Sequence, residues 1–253
     1  MIILKSREDI EAIKKSCSIV SDVLYTLKQE ICPGVTTNYL NGLAELKCRE
    51  FGAIPGFKGY KGFPYSICAS VNNVIVHGFS NDAPLKDGDI ISIDFGAIYD
   101  GWFGDSAFTI GVGEISKENQ KLIDSCRECL FTGISKAVVG NRIGDISSAI
   151  EKLATQKGYE VIREFVGHGV GRDLHESPQV PNYGVRGVGY EIKSGLVLAI
   201  EPMLVAGSNK NKTTADGWAV VTCDGSMAAH FEHTIAITRE GIEILTLRKD
   251  EEV

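Results

Sequence analysis

Long apolar runs, an excess of basic residues and a disulfide framework are all missing from this sequence of 253 residues. No apolar run reaches the roughly 18–20 residues that a membrane-spanning helix needs. Because 26 Lys and Arg stand against 33 Asp and Glu, the net charge of −7 argues against broad electrostatic binding to nucleic acid or to an anionic membrane. The segment after Met1 has no basic region followed by an apolar stretch, so no secretory leader is expected. We expect a cytoplasmic protein with no direct nucleic-acid role and no membrane association.

The seven cysteines are odd in number and scattered through a chain too long to be a disulfide scaffold. Free thiols in a reducing compartment are therefore expected. Cys126 and Cys129 form a C-x-x-C, but no second Cys or His pair completes a zinc site. Two cysteines on one face of a helix are the favoured interpretation.

Two similar halves, about 1–112 and 113–253, are predicted to form a single domain spanning 1–253. Each half should run helix, helix, strands, and no Pro/Ser-rich linker separates them. Ser6 is predicted to cap the first helix, with Asp9 three residues on as a capping-box variant, and Thr36 or Thr37 is predicted to cap the second. Asp145 is predicted to cap the fourth. We take this as a weak internal repeat with a site between the halves.

One carboxylate interrupts an apolar strand of the first half, at Asp94 in Ile90–Gly96. A hairpin that turns at Tyr99–Asp100 places Asp94 directly opposite Asp105, whereas a turn at Asp100–Gly101 shifts the partner by two residues and keeps the face. In either register the two carboxylates repel each other unless a positive charge lies between them. The alternative is two surface aspartates on an exposed hairpin.

The second half repeats this pattern with glutamates. Glu201 ends one apolar strand, Glu232 is embedded in another, and the turn signal Asp216-Gly217 lies midway between them, so strands running back past each other would align the two. His168 stands between two glycines, which allow backbone and metal to approach closely.

Four carboxylates and one imidazole are too many ligands for one divalent cation and suit two. Oxygen-dominated ligation with one His favours Mn, Fe or Co, with Zn possible. A hydroxide held between two such cations is nucleophilic near neutral pH and attacks a peptide carbonyl.

Five spaced motifs together resemble those of the type I methionine aminopeptidases, and the resemblance covers essentially the whole chain. The motifs are Ile93-Asp94, Gly104-Asp105, Gly167-His168-Gly169, Ile200-Glu201-Pro202 and Phe231-Glu232-His233-Thr234. The resemblance implies an α+β pita-bread fold, with a curved antiparallel sheet, two pairs of outer helices and a pseudo-two-fold repeat. It also implies a short bacterial-type enzyme that removes the initiator methionine from nascent polypeptides when the second residue is small, in transient contact with the ribosome.

The resemblance also implies a role for individual residues. Two bridging ligands, Asp105 and Glu232, would link the metals, and Glu201 would also shuttle a proton. His77 would lie near the scissile nitrogen, and His175 would polarise the substrate carbonyl. The implied metal ligands are Asp94, Asp105, His168, Glu201 and Glu232.

The methionine pocket implied by the resemblance is apolar but departs from the family pattern. Phe57 stands for a common Cys, Phe63 for a common Tyr and Leu174 for a common Phe. Gly96 stands where Thr is frequent. The implied pocket residues are Phe57, Tyr60, Phe63, Cys68, Leu174 and Trp218. Ordinary loop and core packing is the alternative role for Tyr60, Phe63 and Cys68.

Two other functions remain open at this point. An Xaa-Pro aminopeptidase or prolidase shares the fold and the five ligands but usually carries a large N-terminal domain, and only about 60 residues precede the first strands here. A catalytically silent pita-bread protein acting as a binding module typically loses metal ligands, and all five positions are filled here.

Overall fold

The computed structural model describes residues 2–252. Its helices form two pairs, since α1 packs against α2 and α3 packs against α4. A single 3-10 turn spans Tyr60–Gly62. The helices are α1 Arg7–Glu30, α2 Thr37–Glu50, α3 Lys117–Ile134 and α4 Ile143–Lys157. The strands are β1 Ile54–Pro55, β2 Cys68–Val71, β3 Val74–Val76, β4 Ile90–Tyr99, β5 Trp102–Gly111, β6 Glu160–Val161, β7 Gly167–Gly169, β8 Glu176–Val180, β9 Val197–Ile200, β10 Met203–Val205, β11 Asn211–Thr213, β12 Val220–Thr222, β13 Ala228–His230, β14 Glu232–Ile237 and β15 Ile242–Ile244.

The helix starts follow local capping chemistry, with one correction. The Ser6 side chain accepts from the Asp9 N–H, and the Asp9 carboxylate accepts from the Ser6 N–H, as predicted. Thr36 caps α2. Asp145 was predicted to cap α4, but it is the third residue of that helix. Its carboxylate accepts from the backbone N–H of Arg142, the true N-cap residue, at 2.8 Å.

A nine-stranded antiparallel sheet joins the two halves of the chain. Its order is β1-β4-β5-β14-β9-β7-β8, with β2 also on β4 and β15 also on β14. The halves meet where Ser106 of β5 lies opposite His233 of β14. Strands from early and late sequence therefore lie side by side in the middle of one sheet.

The β4–β5 hairpin adopts the second of the two predicted registers. Its turn is Asp100–Gly101, with φ of 50° and 74°, the positive values that a two-residue type I′ turn requires. Asp94 therefore lies opposite Ala107, and Gly96 lies opposite Asp105. The register that opposes Asp94 to Asp105 is wrong, because a turn at Tyr99 would place a bulky residue in the left-handed region.

The predicted alignment around Asp216–Gly217 is confirmed. Residues equidistant from this turn pair with each other along three successive ladders. These pairs include Thr213 with Val220, Val205 with Ala228 and Ile200 with His233. No single strand runs through this stretch, since β9 ends at Ile200 and β10 begins at Met203. The break falls at Pro202, which has no N–H to donate to a ladder.

The main apolar core lies between the sheet and the helices, where Val20, Leu24 and Leu40 are buried. Leu46 and Phe51 follow the same helical period as Leu40, but they are 55% and 45% exposed. Within residues 2–252, no helix is both long enough and apolar enough to cross a membrane.

Candidate metal centre

Five neighbouring strands each carry one of the five predicted metal ligands to the same cavity. In the order of the sheet, β4 carries Asp94, β5 carries Asp105, β14 begins with Glu232, β9 ends just before Glu201 and β7 carries His168. All five side chains line one cavity of about 210 Å³. The convergence follows from the strand order, because the ligand-bearing strands of the two halves lie next to each other on either side of the β5–β14 junction.

The donor atoms of this cluster lie close together and away from water. His168 Nε2 is 3.4 Å from Glu201 Oε1 and 3.9 Å from Asp105 Oδ2. One donor atom each from Asp105, His168 and Glu232 fits within 4.8 Å of the others. Asp105, His168 and Glu232 are 4%, 5% and 2% exposed. Such buried charged groups need a partner of opposite charge.

Several of these buried oxygens have no hydrogen-bond partner within residues 2–252. They are Asp94 Oδ1, Asp105 Oδ1 and Glu232 Oε1. Buried polar atoms are rarely left unpaired, and a row of acceptor atoms facing one space is what divalent cations bind. The residues present therefore fit a divalent metal centre.

Burial and mutual repulsion raise the pKa values of the carboxyl groups. Burial is the main cause for Asp94, Glu201 and Glu232, and the charge of Asp105 adds to it in each. Burial raises the pKa of Asp105 to about 7, although the Ser106 N–H opposes the shift. Without cations the cluster holds protons at neutral pH, so metal binding must release them.

His168 has the protonation state of a metal ligand. Its Nδ1 lies 2.9 Å from the carbonyl oxygen of Gly169, to which an Nδ1–H donates. That tautomer leaves a lone pair on Nε2, facing the carboxylates. Burial lowers the pKa of His168 to about 4, so the ring is neutral at pH 7.

His175 lies at the mouth of the same cavity. Its Nδ1 is 2.9 Å from the Tyr60 hydroxyl, and its ring centroid is 4.3 Å from that of His168. Desolvation, and next the neighbouring His168, lower the pKa of His175 to about 3. A Tyr60 hydroxyl that donates to Nδ1 leaves the proton of the neutral ring on Nε2. His175 can then donate one hydrogen bond to a substrate oxygen.

His77 also lines the cavity, on a strained backbone. Its φ of 58° lies in the left-handed region, which few residues other than glycine adopt. The next residue, Gly78, is pressed against β2, since a Cβ there would lie 2.3 Å from the carbonyl oxygen of Ala69. Strain of this kind concentrates at functional sites, where surrounding packing maintains it.

The six predicted pocket residues form the apolar wall of this cavity. Phe57, Phe63, Cys68 and Leu174 make a buried cluster, with Tyr60 and Trp218 packed against it. The rings of Phe63 and Trp218 meet edge to face at 5.1 Å. The same side chains therefore pack with one another and bound the space beside the candidate ligands.

Comparison with known proteins places the chain in a family. The model of metallopeptidase family M24 matches residues 11–239. A methionine aminopeptidase of Clostridium perfringens is 50% identical over 249 residues, covering 98% of this chain and 100% of that protein. Methionine aminopeptidase 1 of Bacillus subtilis is 50% identical, covering 97% and 99%. The chain belongs to the methionine aminopeptidases of metallopeptidase family M24. The predicted family and enzyme class are thus confirmed.

Solved structures agree with this placement. The methionine aminopeptidase of Thermotoga maritima superposes with a TM-score of 0.96 at 44% identity, covering 97% of this chain and 99% of that one. A prolidase from Pyrococcus furiosus gives a TM-score of 0.80 at 24% identity, covering 98% of this chain and 66% of the prolidase. The second likeness shows the fold alone. The predicted pita-bread fold is confirmed, and membership of a metallopeptidase family implies divalent metal binding.

Sequence reasoning missed several residues beside the cluster. His230 is buried, and its Nε2 lies 3.7 Å from Glu201 Oε2. The hydroxyl of Ser106 donates to the carbonyl of Glu232 at 2.6 Å, and that of Thr234 donates to the carbonyl of Asp105 at 2.7 Å. The available signal was spacing, since Ser106 follows Asp105 directly and His230 and Thr234 each stand two positions from Glu232. Lys61 also lines the cavity.

Gly96 and Phe57, two departures from the family pattern, occupy one space. A Cβ on Gly96 would lie 2.7 Å from Cε1 of the Phe57 ring. Gly96 is also opposite Asp105 in the ladder. The aromatic ring therefore takes the room that a side chain at position 96 would use, beside the candidate metal ligands.

Gly96→Ala is expected to push the Phe57 ring into the cavity and to raise KM for methionyl peptides by about 10-fold. Adding Phe57→Leu should relieve the clash and recover most of the loss, with a coupling of ~1–2 kcal/mol between the two positions. The measurement is kcat/KM for wild type, both single variants and the double variant. Additive effects of the two substitutions would contradict the shared space.

Proposed function

We propose that this chain removes the N-terminal methionine from new polypeptides whose second residue is small. The observation that carries the proposal is the row of five donors, Asp94, Asp105, Glu232, Glu201 and His168, beside an apolar pocket. The names of its relatives support the same activity.

The five donors would hold two divalent cations, with Asp105 and Glu232 bridging. Mn, Fe or Co suits a set of four carboxylates and one imidazole, and Zn is an alternative. Bound cations would activate water and polarise the peptide carbonyl. The unpaired oxygens of Asp94, Asp105 and Glu232 support this arrangement.

The remaining steps belong to protein side chains. In this proposal His175 donates an N–H to the carbonyl oxygen as negative charge develops there. His77, which lines the same cavity and packs against Phe165 and Trp218, contacts the scissile nitrogen. Glu201, whose pKa is raised by burial and by Asp105, carries a proton from the attacking water to the leaving amine.

The apolar pocket would recognise methionine by shape. Methionine is long, unbranched and flexible, and it fills irregular apolar cavities well. The wall of Phe63, Leu174 and Trp218 has no unpaired charge to satisfy, and a cavity of about 210 Å³ accepts one such side chain. Burial of that side chain would also exclude water from the reacting bond.

Cleavage is expected to require a small second residue. The chain of the substrate leaves the centre between His77 and His175, where a long side chain at the second position collides with the walls. Steric rejection of this kind discriminates more strongly than the ~1–3 kcal/mol of one methylene. Leu174, smaller than an aromatic ring, should widen the exit enough for Val or Thr.

The test is a series of Met-X peptides with the metal-free protein reconstituted with each divalent metal in turn. Met-Ala-Ser should be cleaved and Met-Leu-Ser should not, and Ala-Pro peptides are the control for prolidase activity. Equal kcat/KM for Ala and Leu at the second position would refute the crowded exit. Cleavage of Ala-Pro alone would overturn the proposed substrate, and failure to bind any cation would indicate a silent binding module.

We further propose that 1–253 is one domain of two related halves, because the central sheet takes strands from both. The partners would be N-termini of nascent polypeptides, with transient ribosome contact and no membrane. A cytoplasmic location is consistent with seven free cysteines.

A further inference from the structure

The loop that carries Leu174 and His175 is held in place by the side-chain carboxylate of Glu176, the next residue. Oε1 of Glu176 accepts hydrogen bonds from the backbone N–H groups of Arg172 at 2.9 Å and Asp173 at 3.4 Å. Oε2 of the same side chain lies 2.5 Å from Nζ of Lys5. The Glu176 carboxylate thus makes hydrogen bonds within its own loop and an ion pair with a residue near the start of the chain.

Lys5 precedes α1 and is fixed at both ends. Its backbone N–H donates to the carbonyl oxygen of Gly195 at 2.7 Å. Its side chain is 3% exposed, and that of Glu176 is 10% exposed. Lysine is almost never buried unless it is paired, so this ion pair is a specific contact and not a surface encounter.

Two glycines make room for the pair. A Cβ at Gly171 would lie 2.1 Å from Oε1 of Glu176 and 2.7 Å from Cε of Lys5. A Cβ at Gly195 would lie 2.8 Å from the carbonyl oxygen of Lys5. A side chain at position 171 would displace the ion pair, and one at position 195 would displace the Lys5 backbone, so the local sequence on both sides leaves room for Lys5.

The other side of the loop is attached to the β4–β5 turn. The Arg172 guanidinium lies over the Trp102 ring, 3.8 Å from its centroid, and donates to the carbonyl oxygen of Asp100 at 3.1 Å. Arg172 and Asp100 are exposed, although the Trp102 ring is buried, whereas both side chains of the Lys5–Glu176 pair are largely shielded from water directly beside His175. Removing one partner of that pair would leave the other charge buried without compensation, which costs more than the loss of an exposed contact.

We propose that Lys5 and Glu176 are positioning residues, whose buried ion pair fixes the 170–176 loop so that His175 faces the substrate carbonyl. The inference rests on the proposed function for the identity of the reaction. It assigns to the segment before α1 a role in catalysis that acts only through His175. Misplacement of a catalytic group by about 1 Å lowers turnover by about 100-fold.

The test compares wild type with Lys5→Met, Glu176→Gln and Lys5→Arg. Lys14→Met is the matched control, because it removes an ion pair between α1 and Glu243 that is exposed and remote from the cavity. Steady-state kinetics on Met-Ala-Ser is measured with saturating metal. The ring resonances of the five histidines are recorded on the Zn²⁺-loaded protein, with His175→Ala identifying the His175 signal.

Lys5→Met and Glu176→Gln should lower kcat by about 10- to 100-fold, change KM by less than about 3-fold and shift the His175 resonance. Lys5→Arg should retain most of kcat, and Lys14→Met should change neither quantity. An unshifted His175 resonance in a folded Lys5→Met protein would overturn the inference, as would an unchanged kcat. If wild type fails to cleave Met-Ala-Ser, the proposed function fails, and the resonance still decides whether the pair positions His175.

Discussion

Asp105→Asn is expected to abolish turnover of methionyl peptides while the protein stays folded. Asp105 is electrostatically coupled to the other three carboxyl groups, since its charge adds to the effect of burial in raising the pKa of Asp94, Glu201 and Glu232. An amide has nearly the same shape but supplies no negative charge to a cation. The measurement is kcat with saturating metal, together with calorimetric metal titration.

The metal-free form of the same variant should be more stable than wild type above neutral pH. Burial raises the pKa of Asp105 to about 7, so folding favours the protonated form, and wild-type stability falls as pH rises from about 4 through 7. Asparagine carries no charge to bury. Its stabilising effect should therefore be larger at pH 8 than at pH 5, as measured by thermal unfolding.

Asp124→Asn is the matched control, because Asp124 is exposed on α3 and its carboxylate accepts a hydrogen bond from the side chain of Gln120, away from the cluster. It should leave kcat, metal affinity and the pH dependence of unfolding unchanged. Wild-type activity of Asp105→Asn at saturating metal would eliminate the bridging role of this residue.

His175→Ala should lower kcat by 10²- to 10³-fold, with a much smaller change in KM. A donor that strengthens its hydrogen bond only as charge develops on the carbonyl oxygen acts on the transition state, where one such donor contributes ~3–4 kcal/mol. Tyr60→Phe removes the hydroxyl at 2.9 Å from Nδ1 and keeps the imidazole, so its effect should be smaller.

The alternative for His175 is packing of the loop alone. That role predicts a lower melting temperature with near-normal kcat in the folded fraction, so unfolding and kinetics are measured on the same samples. A rise in KM with unchanged kcat would assign His175 to substrate binding. Lys5→Met should fall between wild type and His175→Ala, since it displaces the imidazole without removing it.

Much of the fold was readable in local patterns. The capping box of Ser6 and Asp9 forms as predicted because its hydrogen bonds join residues three apart. The symmetry about Asp216–Gly217 also holds over a long stretch, since each antiparallel pair sets the register of the next. The acidic residues in apolar strands were informative for a chemical reason, because a buried charge requires a partner.

Other features were left open by the local patterns. The two β4–β5 registers differ only in which residues take positive φ, and the choice decided that Gly96 rather than Asp94 faces Asp105. Leu46 fits the apolar period of α2, yet its side chain is 55% exposed. Helical periodicity gives the direction of a side chain but not whether another element covers it.

The sequence by itself determined the starts of α1 and α2, the existence of the two long hairpins and the acidic residues that interrupt apolar strands, since each depends on a periodicity, a turn or a charge within one segment. Only the tertiary structure decided the order β4-β5-β14-β9-β7, which brings Asp94 and His168 to one cavity. It alone also paired Lys5 with Glu176 across 171 positions. Strand order and long-range ion pairs depend on which surfaces pack together, and that choice is made by the free energy of the whole core.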